Sequence, residues 1–178
     1  MKHTKDQLIL RAIQVIDKNG YQNLSLRKLT AALNLTTGAF YKHFKDKDDL
    51  FKAVAQELSQ EFIEAIYFNS SSPTEQLLQI ADYFVNQMQK HPNKMEFLFF
   101  NDQSIIALKQ KDLTYPFLHK LLQLIDQINT NSNMNNQDFF IQIWSFIQGY
   151  TFLIKNKVTT YQPDLVRKTL TEIMKGAN

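Results

Sequence analysis

Ser25-Leu26-Arg27-Lys28-Leu29-Thr30-Ala31-Ala32-Leu33-Asn34-Leu35-Thr36-Thr37-Gly38-Ala39-Phe40-Tyr41-Lys42-His43-Phe44 reads as two short helices joined by about three residues, the spacing of a helix-turn-helix. Ser25 is a capping residue for the first helix, whose Leu26, Leu29 and Leu33 recur on one face. Asn34 tolerates positive φ and stands where the chain must turn, and Thr36 caps the second helix. Phe40 and Phe44, four apart, pack inward together, which leaves Thr37, Gly38, Tyr41 and Lys42 on a neighbouring arc. A glycine inside a helix costs about 1 kcal/mol relative to alanine. Gly38 therefore implies close approach of another backbone, either a DNA strand or a packed helix.

The residue types on that arc suit a duplex. Tyr41 has a ring to seat in the domain and a hydroxyl that reaches a phosphate, while Lys42, His43 and Lys47 add donors along the same rim. Such contacts position a domain without reading sequence. Readout falls to Arg27, whose fork matches guanine O6 and N7, and to Thr37, whose methyl matches that of thymine, with the Gly38 backbone and the Lys42 stem alongside. Lys28 needs no role beyond solvation. His43 taken alone would read as a hydrogen-bonded surface histidine; its neighbours give it the other reading.

Outward from this segment, apolar residues recur with the helical period and nothing alternates with period two, so the chain is expected to be all-α, with about nine helices. A first helix near 5–19 starts at a Thr4 to Gln7 capping box, carries Leu8, Ile9, Ala12, Ile13 and Ile16, and stops at Gly20. Asp46 caps a helix over 46–68 that leads out of the helix-turn-helix domain, expected at 1–50, into a second domain at 51–178. Asn69-Ser70-Ser71-Ser72 is the main break in patterning, followed by a helix opening at Ser72-Pro73-Thr74-Glu75 and ending at His91-Pro92. Asn93 to Glu96 reads as a further capping box, and Pro116 opens another helix before an Asn-rich loop at 129–136. From Phe139 to Ile154 the apolar residues surround most of the helix, so it is buried on more than one side; the last helix, from Pro163, has a stripe broad enough for its neighbour and a second subunit.

Composition removes most enzymes. The 178 residues are 44% apolar, enough for a core, and contain no cysteine, so disulfides, thiolate metal sites and a cysteine nucleophile are excluded and a reducing cytoplasm is expected. Four glycines form neither G-x-G-x-x-G nor G-x-x-x-x-G-K-[ST]. His3, His43, His91 and His119 lie too far apart in sequence for H-E-x-x-H or a pair at helical spacing, and no G-x-S-x-G is present. We expect no catalytic residue, metal or cofactor, and read neither a signal peptide nor a membrane span. Charge is asymmetric: residues 1–52 hold ten Lys and Arg against five Asp and Glu, whereas 53–178 hold ten against twelve. A basic N-terminal segment suits a polyanionic partner, although a solvated lysine face gives the same count.

Residues 4–51 resemble the N-terminal domain of the TetR family of bacterial one-component transcriptional regulators. The family pattern is met by Ser25, Thr36, Gly38, Phe40, Tyr41, His43, Phe44, Lys47, Asp48 and Leu50 with spacing preserved. Thr30, where the family has alanine, and Leu33-Asn34, where it has Ala-Gly, depart from it. The resemblance implies a homodimer held by the last two helices, a palindromic operator in double-stranded DNA, repression, and release by a small-molecule effector that moves the fourth helix. Ser25, Arg27, Thr36, Thr37, Gly38, Tyr41, Lys42, His43 and Lys47 are the expected DNA contacts.

The remainder resembles the family more weakly. Trp144-Ser145-Phe146-Ile147-Gln148-Gly149 is similar to a subgroup pattern Trp-x-x-x-His-Gly, with Gln148 replacing the histidine. Aromatic and methionine content, with few charges along 113–154, favours an apolar or aromatic ligand, although core packing explains the same residues. Phe84, Met88, Phe100, Phe117, Leu121, Trp144 and Gln148 are the expected ligand contacts, and Phe146, Gly149, Tyr150, Leu165, Thr169 and Ile173 the expected dimer contacts. Trp144 also suits core or interface, and Gly149 also suits a close helix crossing. The alternative to a regulator is a helical interaction or ligand-carrier protein whose helix-turn-helix no longer binds DNA.

Overall fold

The computed structural model describes residues 4–130 and 134–176, so the centre of the Asn-rich loop lies outside the described residues. The chain is all-α: α1 (Thr4–Asn19), a 3-10 turn (Tyr21–Asn23), α2 (Leu26–Ala31), α3 (Thr37–Tyr41), α4 (Lys47–Glu64), α5 (Pro73–Lys90), α6 (Pro92–Phe100), α7 (Asp102–Gln110), α8 (Pro116–Ile128), α9 (Asn136–Lys155) and α10 (Pro163–Gly176). Ten α-helices are thus described rather than about nine. The additional one is α7, and Asn101 creates it. Its Oδ1 accepts from the amides of Gln103 and Ser104 at 2.8 and 3.2 Å, and its Nδ2 donates to the carbonyl of Phe97 and to Ser104 Oγ, closing α6 and opening α7. Only Ala107 of α7 is buried, so the helix has no apolar stripe to announce it.

Two expected caps differ. Thr4 lies inside α1 rather than ahead of it. Asn93 does not cap α6, which starts at Pro92; its Nδ2 donates instead to the carbonyl of Asp17 at 3.0 Å, a contact from α1 that outcompetes a local one.

By compactness the chain forms two units. One gathers the described residues up to Ile63 with His91–Leu118; the other gathers Glu64–Lys90 with the described residues from His119 onward. This division differs from the functional one expected at 1–50 and 51–178, because α6, α7 and the start of α8 cluster with the first four helices. In the first unit Leu8, Ala12 and Ile16 of α1 are fully buried and α1 packs on α6. Tyr21, Phe51 and Phe97 meet edge to face with centroids 5.1–6.1 Å apart. In the second unit α5 packs against α9 and α10, burying Leu77, Ile80, Phe84, Phe139, Ile143 and Leu170. Arg167 grips Glu75 with two bonds of 2.9 and 3.0 Å. Tyr161 donates to Asp82 at 2.6 Å, and its phenol is held well above the usual tyrosine range by burial and by that carboxylate.

Candidate nucleic-acid interface

The helix-turn-helix is built by its caps. Ser25 Oγ accepts from the Lys28 amide at 3.5 Å and Thr36 Oγ1 from the Ala39 amide at 3.2 Å. Between the helices Asn34 takes φ 55, the left-handed turn that asparagine tolerates. Asp46 Oδ1 accepts from the Asp49 amide at 2.8 Å, while Asp49 Oδ2 accepts from the Lys45 amide at 3.0 Å, so the entry to α4 is locked to the end of the motif. Thr30 fits its buried place because its hydroxyl donates within its own helix, 3.0 Å from the Leu26 carbonyl and 3.2 Å from that of Arg27.

Below α3, Phe40 and Phe44 are 1% and 3% exposed with ring centroids 5.5 Å apart. Above it, Thr37, Gly38, Tyr41, Lys42 and His43 are exposed, with Arg27 on α2. Tyr41 is 60% exposed while its ring meets the edge of Phe40 at 5.2 Å, so the ring is seated and the hydroxyl free to reach outward. Gly38 is open: an added Cβ would meet only Thr36 Oγ1, at 3.7 Å. Among the described residues nothing else comes within 4 Å of that position, so packing of a neighbouring helix does not account for the glycine. Lys47 is half-buried, with Nζ 5.0 Å from the centroid of Phe51.

The other expected site residues lie elsewhere. Trp144 is buried, 5.3 Å from Phe84 edge to face and stacked with Phe140 at 6.2 Å. Leu121 is buried in the same unit, with Met88 and Gln148 half-buried. Phe117 belongs to the other unit, in a cluster with Phe62 and Phe99, and Phe100 there is 41% exposed. Tyr150 is turned inward, donating to the Thr160 carbonyl at 3.0 Å and accepting from the Gln162 amide at 2.9 Å, with Phe146 stacked on it at 5.9 Å. Gly149 and Leu165 are exposed, and Thr169 and Ile173 half-exposed. Ile141 and Phe152, which sequence reasoning passed over as dimer contacts, are 49% and 63% exposed; their spacing from Gly149 by eight and three residues was the available signal. Among the described residues no cluster of three or more metal-ligating side chains occurs, and no helix is long and apolar enough to cross a membrane.

A capped helix-turn-helix with an exposed polar and basic recognition face defines a DNA-binding domain of the bacterial regulatory type. Residues 8–54 match the family model of the bacterial regulatory proteins, tetR family. An HTH-type transcriptional repressor of Mycobacterium tuberculosis is 36% identical over 63 residues, 32% of this chain and 34% of that protein. The chain thus aligns with about a third of the length of the curated relatives it matches. In structure the likeness is end to end. BioQ, solved with its natural double-stranded DNA operator, superposes with TM-score 0.70 at 16% identity, covering 99% of this chain and 100% of that one. The multidrug binding protein EbrR, solved with ethidium, gives 0.69 at 17%, covering 96% and 98%. These establish the fold.

Proposed function

We propose that the protein is a transcriptional regulator, acting as a repressor, that binds a palindromic operator in double-stranded DNA as a homodimer. One observation carries the reading: Thr37, Gly38, Tyr41 and Lys42 present an open face on a helix fixed from below by buried Phe40 and Phe44. Tyr41, Lys42, His43 and Lys47 hold phosphates with Ser25 and Thr36, while Arg27 and Thr37 read bases. That a relative is a repressor and that BioQ holds an operator support it.

The homodimer rests on α9 and α10. Ile141, Phe152 and Leu165 expose apolar surface, and Gly149, with nothing among the described residues within 4 Å of an added Cβ, offers a place for a second helix to cross. The effector is apolar or aromatic and contacts Phe84, Met88, Leu121, Trp144 and Gln148, a group with two rings against the indole and no charge. EbrR with ethidium is a relative in fold that takes an aromatic ligand. Effector binding shifts the population between a form that fits the operator and one that does not, through α4.

Selection of sites from a random duplex pool with purified protein at near-physiological salt tests this. An enriched inverted repeat is expected; no enrichment at any salt overturns the reading in favour of an interaction or carrier protein.

A further inference from the structure

A second basic feature of the first unit lies outside the recognition helix. Between α1 and α2 runs a groove of about 530 Å³ floored by Val15 and Leu29 and edged by Arg11, Lys28, Asn19, Asn23 and Ser25. It has two cations, three neutral polar residues and no carboxylate. Sequence makes this lack structural: the positions three and four away from Arg11 are Gln7, Leu8, Gln14 and Val15, and those from Lys28 are Leu24, Ser25, Ala31 and Ala32, so no acid stands at helical spacing from either cation. The nearby Asp17 carboxylate is taken by His91 Nδ1 at 3.0 Å, and the Asn19 carbonyl by Asn23 Nδ2 at 2.7 Å.

Arg11 is the sharper observation. Its Nη1 donates to Gln14 Oε1 at 3.0 Å, but its Nε is shielded from solvent with no acceptor among the described residues. A guanidinium donor removed from water and left unpaired costs free energy that an incoming anion would recover. Arg167, by contrast, has Nη1 bonded to both carboxylate oxygens of Glu75.

We propose that the α1–α2 groove is a phosphate-binding site, with the Arg11 guanidinium and the Lys28 ammonium providing two positive charges. Its volume accommodates a phosphate with the sugar attached to it. The phosphate belongs either to the DNA backbone flanking the operator or to a free phosphorylated compound. The first source rests on the DNA-binding reading above, because Ser25 then edges both the groove and the recognition surface; the second does not.

Arg11→Gln and Lys28→Gln, made singly in the full chain, separate the cases. Lys28 is exposed, so its variant folds whatever happens to the other. If the groove takes backbone phosphate, each variant binds the selected duplex about tenfold more weakly, by the same factor for variant operator sequences, and the slope of log affinity against log salt becomes shallower by about one. If it takes a free phosphorylated compound, the salt slope is unchanged, while inorganic pyrophosphate raises the melting temperature of the parent protein and not of the variants. Unchanged slope together with no pyrophosphate effect overturns the proposal. Failure of the parent to select any duplex defeats the regulator reading, and the pyrophosphate arm then judges the groove alone.

Discussion

Ser59 Oγ accepts the backbone amide of Phe117 at 2.9 Å across 58 residues of sequence, in a buried position where water offers neither group a substitute. The amide is in the first turn of α8, where no intrahelical acceptor exists, so α4 supplies what α8 lacks. One turn earlier on α4, Gln56 Nε2 donates to Thr114 Oγ1 at 2.8 Å, and Thr114 in turn donates to Asp112 at 2.7 Å. The Asp112 carboxyl is held below its ordinary range mainly by that hydroxyl and by the Thr114 amide. Successive turns of the helix that leaves the DNA-binding domain are thereby tied to residues 112–117. Ser59→Ala should strand the Phe117 amide and destabilise the fold by about 1–3 kcal/mol. In urea the midpoint falls and the slope stays constant; a loss below about 0.5 kcal/mol, the range of ordinary surface substitutions, would show that the bond contributes little.

Gly38→Ala should separate stability from DNA binding. The position is exposed, its φ is ordinary for a helix, and the added methyl meets only Thr36 Oγ1 at 3.7 Å, so the helix gains up to about 1 kcal/mol. On the proposed reading the same methyl obstructs the DNA backbone, so operator affinity should fall. Thermal melting and a binding titration on one sample read both signs; unchanged affinity would remove close approach as the reason for the glycine.

Much of the recognition unit is legible in sequence because its determinants are local. Ser25, Thr36 and Asp46 cap as their residue types and spacing require, and Asn34 adopts the conformation that makes it a substitute for glycine. Even Thr30 proves to be self-contained, its hydroxyl satisfied one turn back. What stays hidden is decided by partners distant in sequence. Asn93 has the form of a cap, but the carbonyl of Asp17 from α1 claims its amide. Tyr150 falls on the apolar circumference of α9 like its neighbours, and only the 160–162 segment returning over it reveals which side it faces. The short α7 depends on one buried asparagine rather than on a stripe.

Tyr41→Phe keeps the ring against Phe40 and removes only the hydroxyl, so stability should change by less than about 0.5 kcal/mol. A lost hydrogen bond to a charged phosphate is worth about 1.5–3 kcal/mol, which is roughly a ten- to hundredfold loss of affinity. That loss should be the same for every duplex tested. Arg27→Gln, on the neighbouring helix, should instead change which base is preferred at one position of each half-site. Measuring both against a set of single-base operator variants distinguishes phosphate from base contact; a base-specific effect at Tyr41, or a uniform one at Arg27, would exchange their roles.

Trp144 is the chain's one tryptophan, and with Phe84 and Phe140 against its ring its emission reports on their packing. A hydrophobic or aromatic effector should alter that emission, raise the melting temperature and weaken operator binding at the same concentration. Phe84→Ala should reduce all three responses, at a stability cost of about 3–5 kcal/mol for a fully buried ring, so Gln148→Ala, at a half-buried position, is the milder companion. A panel of amphiphiles that changes neither emission nor operator affinity would defeat the apolar-effector reading.

Gly149→Leu isolates the subunit interface from the fold of the protomer. Among the described residues an added Cβ at 149 meets nothing within 4 Å, so a side chain leaves the helix there unobstructed, and leucine in place of glycine favours the helix by up to about 1 kcal/mol. If a partner helix crosses here, between exposed Ile141 and Phe152, the same side chain obstructs it. Sedimentation should then show the parent as a dimer and the variant as a folded monomer with unchanged helical content. Affinity for an inverted repeat should collapse towards that for a single half-site, because the second recognition helix is no longer tethered. A variant that remains dimeric and binds the full operator normally would move the interface away from Gly149, whereas a variant that unfolds would show that the position is closed by something within the chain itself.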